Sequence, residues 1–504
     1  MLELPTSRVT MLPLTDTLLA GVAELMTRYI TAPAGTRIAV ALSGGADSVV
    51  LLHVLHRLAP RFQIALEAVH INHHLRGSES DGDQQFVQEL AASLGLKLHL
   101  EQAPVAQDGG NLEQLARDAR RKVFHSIVES GQATYVATGH TRSDQAETVL
   151  FRLLRGTGIT GLAGMRVMTS DGILRPLLGT GREQVRAWAV EQGLDWREDS
   201  SNSDLRFSRN LLRNEVLPLV QSRINSGVEM VLAGVAELAQ AEEDYWRPLI
   251  DQHFQRFAKQ SHFGLICDIY YLNEQPLALR RRMLRRAFLE VKGSLRSVDS
   301  GHVEAVVRIC ESDQGHDRVI VPGIDALRSF GTLRLAKPVS AEGQKRHYKL
   351  PLELGREIDL PFHAGCIQLE FLDGDLSSGP VNCVNFKDGQ DLLETAVEVA
   401  RLNLDALGGV PSIRRLVIRN WEPGDGIQRA GHQSREKLKT LFQEEKVLLW
   451  ERRHWPVLEL DGEIVWTRRF GAAAHAAAEP GTLPAVSIRY RVCRESEVQF
   501  LTSY

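Results

Sequence analysis

Two glycines, two hydroxyls and one carboxylate follow one another in Ser43-Gly44-Gly45-Ala46-Asp47-Ser48. Glycine lets the backbone turn sharply and approach a ligand closely. If a helix begins here, its first N–H groups and its dipole attract an anion, to which Ser43 and Ser48 can add hydroxyl donors. Asp47 would repel bare phosphates, which indicates an Mg²⁺ ion between the carboxylate and the anion. The simpler alternative is a structural turn in which Asp47 or Ser48 caps the helix.

Two carboxylates further along the chain, Asp144 and Glu147, are three residues apart in a predicted helix over 144–155. That spacing places both on one helix face. The helix follows the turn Thr138-Gly139-His140 at the end of a predicted strand, where ligands bind in open α/β sheets. Carboxylates beside a phosphate site are natural Mg²⁺ ligands, so we expect Asp47 and Asp144 to hold the metal. The alternative is a solvated helix face that carries two charges.

Arginines with helical spacing occur in two further segments. Arg117 and Arg121 are four residues apart in a predicted helix that begins near Asn111, and Arg209 and Arg213 repeat that spacing. Arginine suits a bidentate grip on phosphate. The alternatives are a basic surface stripe for the first pair and ion pairs with Glu198, Asp199 or Glu215 for the second.

Short apolar runs alternate with amphipathic segments over the first part of the chain. Strands are predicted at 37–42, up to Ile71, at 97–100 and at 134–138, with helices between them. This alternation predicts a parallel sheet covered on both faces. The fold class is therefore α/β, with a Rossmann-like, doubly wound sheet at the N-terminus. The glycine-rich loop follows the first strand of that sheet.

The rest of the chain is less regular. Helices and two short strands are predicted at 228–258, 276–292, 299–312, 319–321 and 332–335. Residues 337–347 are polar and lack periodicity, which indicates a linker. Beyond it, β-like runs alternate with turns and one helix over 435–445. We predict a sheet domain over 1–223, a mostly helical middle domain over 224–336 and an α+β domain over 350–504.

Composition excludes several classes of protein. The 504 residues are 43% apolar and 24% charged, which is ordinary for a globular protein. A net charge of −4 gives no bulk attraction for nucleic acid, so RNA contacts would have to come from local basic patches. No run approaches the roughly 18 apolar residues of a membrane span, and the N-terminus lacks a secretory pattern.

Cysteine and histidine usage argues against zinc and disulfides. There are five cysteines, none in a CxxC pair and none before Cys267, which fits a reducing cytoplasm. His70, His73 and His74 follow a predicted strand without a cysteine or a spaced acidic residue. Packing or the lining of a ligand pocket is therefore favoured over a metal site for them.

The loop has the SGGxDS form of the N-type ATP pyrophosphatases, or PP-loop family, which cleave ATP to AMP and pyrophosphate and adenylate a substrate oxygen. Other strings resemble the tRNA(Ile)-lysidine synthetase family within it. They include His70-Ile71-Asn72-His73-His74-Leu75-Arg76-Gly77, Leu154-Arg155-Gly156-Thr157-Gly158, Arg175-Pro176-Leu177-Leu178, Glu198-Asp199-Ser200-Ser201-Asn202, Pro423-Gly424-Asp425 and Lys437-Leu438-Lys439. The resemblance is dense over 37–220 and returns over 416–471. One departure is Ser143, which precedes Asp144 where the family often has a second carboxylate.

The resemblance implies an ATP-dependent ligase that works in two steps. The O2 atom of the wobble cytidine of a CAU-anticodon isoleucine tRNA attacks the α-phosphate of ATP, which releases pyrophosphate. The ε-amine of L-lysine then displaces AMP and gives lysidine, so that decoding changes from AUG to AUA and the identity from Met to Ile. Mg²⁺ is the implied cofactor, and a homodimer is a weaker implication.

Patterns and resemblance together give the expected roles. ATP binding is expected of Ser43, Gly44, Gly45, Ala46, Asp47, Ser48 and His140. Catalysis is expected of Asp47, Asp144, Glu147, Arg117 and Arg209, with Arg120 an open alternative to Arg117. Contact with tRNA is expected of Arg213, Arg281, Arg285, Lys437 and Lys439, for which a solvated helix face is the alternative.

Other functions are weighed by what the chain lacks or keeps. Thiolases with the same loop usually carry sulfur on nearby cysteines, and the absence of cysteine before Cys267 argues against that function. A glutamine-fed amidotransferase is disfavoured too, because it needs a nucleophilic cysteine in a separate glutaminase unit. A non-catalytic tRNA-binding protein with a relic loop is the rival from a different class. The carboxylates of Asp47, Asp144 and Glu147 beside the loop argue against it.

Overall fold

A computed structural model describes residues 14–30, 35–72, 78–102, 112–198, 208–338, 347–372, 397–479 and 481–492. The chain divides into two compact units, which meet in sequence between Arg247 and Pro248. The three predicted domains and their boundaries stay a prediction. Over the described ranges, no helix is both long and apolar enough to cross a membrane.

The first unit is built on a five-stranded parallel sheet. Its strands are β1 (Arg37–Ala41), β2 (Ala65–Asn72), β3 (Leu98–Gln102), β4 (Tyr135–Ala137) and β5 (Ile173–Leu174). Their order is β3-β2-β1-β4-β5, and every neighbouring pair is parallel. Strand β1 is central, and the chain crosses first to one side of it and later to the other. This reversal makes a crevice at the carboxyl end of β1, the usual place for a ligand in such a sheet.

The helices of this unit are α1 (Leu14–Tyr29), α2 (Ala46–Phe62), α3 (Ser78–Ser93), α4 (Leu112–Glu129), α5 (Arg142–Leu154), α6 (Ile159–Leu162), α7 (Arg182–Glu191), α8 (Ser208–Leu211), α9 (Leu217–Arg223) and α10 (Val228–Phe257). A π-helical turn, Leu212–Val216, joins α8 to α9. Helix α10 continues past Arg247.

Both faces of the sheet are covered, as the apolar strands predict. Ile38 and Val40 of β1 point into a core that α1, α2 and α7 close. Ala39, between them, packs on the other face with Phe124 and Ile127 of α4. The alternation follows from the two-residue period of a strand. It fixes β1 rigidly, and with it the loop that follows.

The second unit begins with helices packed on an antiparallel sheet. The strands are β6 (Ala258–Ser261), β7 (Gly264–Asp268), β8 (His316–Val321), β9 (Ile324–Ser329) and β10 (Thr332–Ala336), in the order β6-β7-β10-β9-β8. The helices are α11 (Ile269–Glu274), α12 (Leu277–Lys292) and α13 (Ser300–Glu311). The predicted helices are present, and the sheet also contains three strands that the sequence analysis did not anticipate.

The remainder of the second unit is α+β, as predicted. One sheet has the order β11-β15-β18-β19-β20, with strands Lys349–Pro351, Val417–Asn420, Pro456–Leu460, Glu463–Thr467 and Gly471–Ala472. A second has the order β12-β13-β21-β14, with strands Glu357–Asp359, Cys366–Leu372, Ala485–Arg491 and Val397–Asn403. A hairpin of β16 (Gly426–Ile427) and β17 (Glu436–Lys437) accompanies α14 (Val410–Ile413), α15 (Leu438–Glu444), α16 (Leu449–Arg452) and a 3₁₀ turn, Pro361–His363.

Candidate active site

The glycine-rich loop joins the central strand β1 to α2. Gly44 has a φ of +88°, in the left-handed region that favours glycine. Gly45 stands just before α2 and has no side chain with which to cap it. The hydroxyl of Ser48 donates to the Gly45 carbonyl at 2.9 Å and accepts from the N–H of Ser43 at 3.2 Å. Neither Asp47 nor Ser48 is therefore the helix cap, and the start of α2 retains the geometry of an anion site.

The turn after β4 touches this loop. A Cβ on Gly139 would lie 3.0 Å from the backbone carbonyl atoms of Asp47, so only glycine lets the two backbones approach. His140 Nδ1 and Thr138 Oγ1 are hydrogen-bonded at 2.8 Å. Burial lowers the pKa of His140 to about 3, which keeps the imidazole neutral near pH 7. The imidazole is thus a neutral hydrogen-bonding group.

Three arginines surround the buried carboxylates of α5. Arg182 bridges them, with Nη2 2.8 Å from Asp144 Oδ1 and Nη1 3.1 Å from Glu147 Oε1. Arg213 also bridges them, with Nη2 3.0 Å from Asp144 Oδ1 and Nε 2.7 Å from Glu147 Oε1. Arg209 Nε lies 2.9 Å from Glu147 Oε2. Asp144 and Glu147 therefore share one face, as their spacing predicts, and that face is not a solvated one.

The second carboxylate oxygen of Asp144 takes part in the N-terminal cap of α5. Asp144 Oδ2 accepts from the N–H and from the hydroxyl of Thr141, each at 2.8 Å, in a capping box. Burial raises the pKa of Asp144, but Arg182, His140 and Arg209 outweigh burial and bring the pKa to about 2. Asp144 therefore carries a negative charge throughout the neutral range.

Asp47 is less well compensated than Asp144. Its Oδ2 lies 3.9 Å from Arg182 Nε, and its buried Oδ1 has no hydrogen-bond partner within the described part of the chain. Burial, followed by the charge of Asp144, raises the pKa of Asp47 to about 6, although Arg182 and Arg213 oppose the rise. A cation beside both carboxylates would satisfy the orphaned oxygen and cancel the repulsion.

The donor set suits Mg²⁺ better than a metal held by protein alone. Across the described residues, no group of three or more His, Cys, Asp or Glu side chains could hold a metal ion. Mg²⁺ that accompanies a nucleotide needs only one or two carboxylates, because phosphates and water supply its other oxygen ligands. Asp47 and Asp144 meet that requirement.

Arg209 and Arg213 reach Glu147 from the helical run of α8, the π-helical turn and α9. The π-helical turn contains Arg213, and such turns are frequent at functional sites. Both arginines contact Glu147, which confirms that they share a face. Glu198, one of the expected alternative partners, pairs with Arg186 at 3.1 Å. Asp199 lies outside the described residues.

A second group of arginines lies on the α4 side of the site. Arg175 Nη1 donates to the carbonyl of Arg166 at 2.7 Å, while its buried Nε has no partner among the residues described. Burial, together with the charges of Arg117 and Arg121, lowers the pKa of Arg175 to about 10. The charge of Arg117 also contributes to the low pKa of His140. The choice between Arg117 and Arg120 as the phosphate-binding arginine stays a prediction.

The residues expected to contact tRNA lie in different places. Arg213 belongs to the carboxylate cluster described above. Arg281 Nε lies 2.5 Å from Glu304 Oε1 on the surface of the second unit, and Arg285 is half-buried on the same helix. Lys437 and Lys439 line a cavity.

The predicted helix over 435–445 is shorter than expected. It begins at Leu438, because Glu436 and Lys437 pair with Gly426 and Ile427 in a hairpin instead. Lys437 and Lys439 are exposed and border a pocket of about 310 Å³ whose other walls are Trp421, Pro423, Gly424 and Asp425. The placement of Lys437 on a helix was wrong, but the two lysines still lie together.

Three further expectations concern packing. His70 is buried and its Nδ1 lies 2.8 Å from the carbonyl oxygen of Leu42, which fits packing beneath the loop. His73 and His74 lie outside the described residues. Cys267, Cys310 and Cys366 are buried and free, and Cys383 and Cys493 lie outside the described residues.

Arg182 is the site residue that sequence reasoning missed. It is the first residue of α7, and it follows Gly181. A cation at the amino end of a helix opposes the helix dipole, so such a residue needs acidic partners elsewhere in the fold. An arginine at the start of a predicted helix was therefore the one sequence feature that could have indicated Arg182, but only the fold shows that its partners are Asp144 and Glu147.

Two domain families match the chain. Residues 19–220 match the PP-loop domain, and residues 416–489 match the TilS substrate C-terminal domain. These ranges contain, respectively, the loop with its carboxylate cluster and the pocket beside Lys437.

Curated relatives match over nearly their full length. The tRNA(Ile)-lysidine synthase of Solibacter usitatus is 42% identical over 448 residues, which are 88% of this chain and 96% of the relative. Those of Geobacter sulfurreducens and Symbiobacterium thermophilum are 32% and 31% identical, covering 91% and 94% of this chain and 94% and 98% of the relatives. The prediction of an ATP-dependent ligase with a PP-loop is thereby confirmed, and the chain belongs to the tRNA(Ile)-lysidine synthase family.

Proposed function

We propose that this chain joins L-lysine to C2 of the wobble cytidine of the CAU-anticodon isoleucine tRNA, with conversion of ATP to AMP and pyrophosphate. Beside family membership, one observation carries the proposal. Asp47, Asp144 and Glu147 meet Arg182, Arg209 and Arg213 next to an uncapped helix start. A relic loop in a binding protein would have no need of three carboxylates balanced by three arginines in a partly buried site.

In the first step, the cytidine O2 forms a bond to the α-phosphorus of ATP as the bond to pyrophosphate breaks. The N–H groups at the start of α2 and the hydroxyls of Ser43 and Ser48 hold the departing phosphates. Arg117 and Arg209 stabilise the negative charge that develops on the transferred phosphate. Asp47 and Asp144 hold Mg²⁺, which when bound neutralises phosphate charge as a Lewis acid.

In the second step, the lysine ε-amine forms a bond to C2 while the bond from C2 to the AMP oxygen breaks. The amine enters as an ammonium group and must lose protons, which a nearby carboxylate or desolvation promotes. Neutral His140 adds a hydrogen-bonding group to the nucleotide pocket. The product tRNA carries lysidine, reads AUA instead of AUG and is aminoacylated with isoleucine instead of methionine.

The tRNA itself is held by the phosphate contacts of Arg281, Arg285, Lys437 and Lys439. Such contacts position an RNA without reading its sequence. An unstacked wobble base is required at the active site, because its O2 edge must reach the α-phosphate.

ATP–pyrophosphate exchange tests which molecule is adenylated. The full chain, ATP, Mg²⁺ and labelled pyrophosphate are combined with isoleucine tRNA alone, with lysine alone or with both. We expect exchange with tRNA in the absence of lysine, because the base is adenylated first. Exchange that needs lysine but not tRNA would place the adenylate on the amino acid and overturn the proposed order. Absence of exchange and of AMP release would support the tRNA-binding protein without catalysis.

A further inference from the structure

Ser143, the residue beside Asp144, is bonded on two sides. It is buried near the start of α5, with a relative exposure of 4%. The backbone N–H of Arg182 donates to Ser143 Oγ at 3.2 Å. The hydroxyl of Ser143 in turn donates to Glu229 Oε2, in the first turn of α10, at 2.8 Å. One hydroxyl therefore connects the helices that carry Asp144, Arg182 and Glu229.

Helix α7 lacks a cap of its own. Its N-cap residue, Gly181, has no side chain that could accept the first helical N–H groups, and Gln184 Oε1 accepts the N–H of Gly181 itself at 3.0 Å. The N–H of Arg182 consequently finds its acceptor on another helix, in Ser143. An unmet N–H at a helix start is unfavourable, so this contact anchors the amino end of α7.

Glu229 determines how Ser143 can act. A serine hydroxyl has one hydrogen and can rotate, so by itself it can turn either its hydrogen or its lone pairs towards a neighbour. Because the hydrogen is committed to the Glu229 carboxylate, the lone pairs face the N–H of Arg182. A hydroxyl that donates to a carboxylate is also the better acceptor, since hydrogen bonds in a chain polarise one another.

The contact matters because of where Arg182 stands. Its backbone begins α7 and its guanidinium bridges Asp144 and Glu147 at 2.8 and 3.1 Å. A shift of the first turn of α7 would move the guanidinium relative to both carboxylates. We propose that Glu229, acting through Ser143, is a positioning residue that holds Arg182 in register with the carboxylates of the active site.

The inference rests on the proposed function for its kinetic readout only. Helix α10 offers a matched control, because Glu243 accepts a hydroxyl hydrogen bond from Thr160 at 3.2 Å, far from the N–H of Arg182. We expect Glu229→Ala to lower kcat for AMP release about tenfold, the scale of a small misplacement of a catalytic group, and to leave KM for tRNA unchanged. Glu243→Ala leaves kcat unchanged.

A double-mutant cycle tests whether Glu229 works through Ser143. We expect the double variant Ser143→Ala/Glu229→Ala to have the same kcat as Ser143→Ala alone. Glu229 acts through the Ser143 hydroxyl, so its removal has no further effect once that hydroxyl is gone. The double variant Ser143→Asp/Glu229→Gln exchanges the carboxylate and the hydrogen-bond donor and should recover most of kcat. Multiplied losses in the cycle, or equal kcat for Glu229→Ala and Glu243→Ala, would overturn the inference.

Amide hydrogen exchange separates this inference from the proposed function. The N–H of Arg182 should exchange at least about tenfold faster in Glu229→Ala than in the unchanged chain, whatever the substrate of the enzyme. Equal exchange in both would contradict the inference even if lysine is ligated. Faster exchange of the Arg182 N–H in Glu229→Ala, together with no ligation of lysine by the unchanged chain, would support the positioning role of Glu229 and contradict the proposed function.

Discussion

Arg182 and Asp144 are in direct contact in the site, at 2.8 Å from Nη2 to Oδ1. The same guanidinium also contacts Glu147 and lies 3.9 Å from Asp47 Oδ2, so one side chain touches all three carboxylates. Such a bridge needs the planar, forked guanidinium, and a lysine cannot reproduce it.

Arg182→Lys should therefore lower kcat for AMP release by about a hundredfold, since the carboxylates lose their common partner. The free energy of unfolding should fall by about 1–3 kcal/mol, because buried acceptors lose hydrogen bonds. Steady-state kinetics and urea unfolding measure the two effects. Arg415→Lys is the control, since its ion pair with Asp461 is more than half exposed on both sides and should contribute little. Equal behaviour of the two variants would remove Arg182 from the site.

Asp47→Asn should abolish AMP formation and yet raise the free energy of unfolding at neutral pH. Burial and the charge of Asp144 raise the pKa of Asp47 from 3.8 to about 6 in the folded chain. The folded state thus binds the proton more tightly, and the stability from protonated Asp47 is lost as pH rises from about 4 through 6. Above that window the neutral asparagine should be the more stable side chain, by about 1–3 kcal/mol.

Urea unfolding at pH 4.5 and pH 7.5 checks this sign. The advantage of Asp47→Asn over the unchanged chain should be small at the lower pH and larger at the higher, while AMP formation is lost at both. Added Mg²⁺ with ATP should stabilise the unchanged chain more than the variant. A variant less stable than the unchanged chain at pH 7.5 would contradict the assigned electrostatics.

Gly139→Ala should raise KM for ATP about tenfold or more. The new Cβ would lie 3.0 Å from the Asp47 backbone, which must move and carry the start of α2 with it. Gly21→Ala is the matched change, because a Cβ there meets nothing within 4 Å. Nucleotide binding measured by calorimetry distinguishes them. Unaltered ATP affinity in Gly139→Ala would show that the turn does not shape the loop.

Lys437→Ala and Lys439→Ala should weaken tRNA binding without changing kcat at saturating tRNA. Each lost phosphate contact should reduce the slope of log K against log salt by about 1. Lys446→Ala provides the control, as an exposed lysine beyond the carboxyl end of α15. Filter binding over a range of salt concentrations measures the slopes. Identical slopes for all four proteins would place the tRNA elsewhere.

The sequence predicted the local parts of the site well. The continuous apolar run of β1, the glycines of the loop and the three-residue spacing of Asp144 and Glu147 are short-range patterns, and each was found as expected. The contacts of Arg182 and Glu229 join residues that are 35 to 86 positions apart. No periodicity encodes such contacts, since they depend on how helices cross the sheet.

The same limit explains the second unit. Strands β6 and β7 are short, and β6 is polar over Ala258–Ser261, so the sheet pattern was weak there. Lys437 lies in the hairpin strand just before α15, whereas the sequence analysis predicts a helix that begins at residue 435. The start of α15 depends on the pairing of Glu436 and Lys437 with Gly426 and Ile427, and the local sequence pattern does not show that pairing.

Incorporation of labelled lysine into tRNA tests the central claim most directly. Unmodified isoleucine tRNA with a CAU anticodon is incubated with the chain, ATP, Mg²⁺ and labelled L-lysine, with methionine tRNA as the control. We predict label in the isoleucine tRNA alone, with one AMP released for each lysine attached. Equal labelling of both tRNAs would contradict the proposed substrate, and AMP release without labelled tRNA would contradict lysine as the nucleophile.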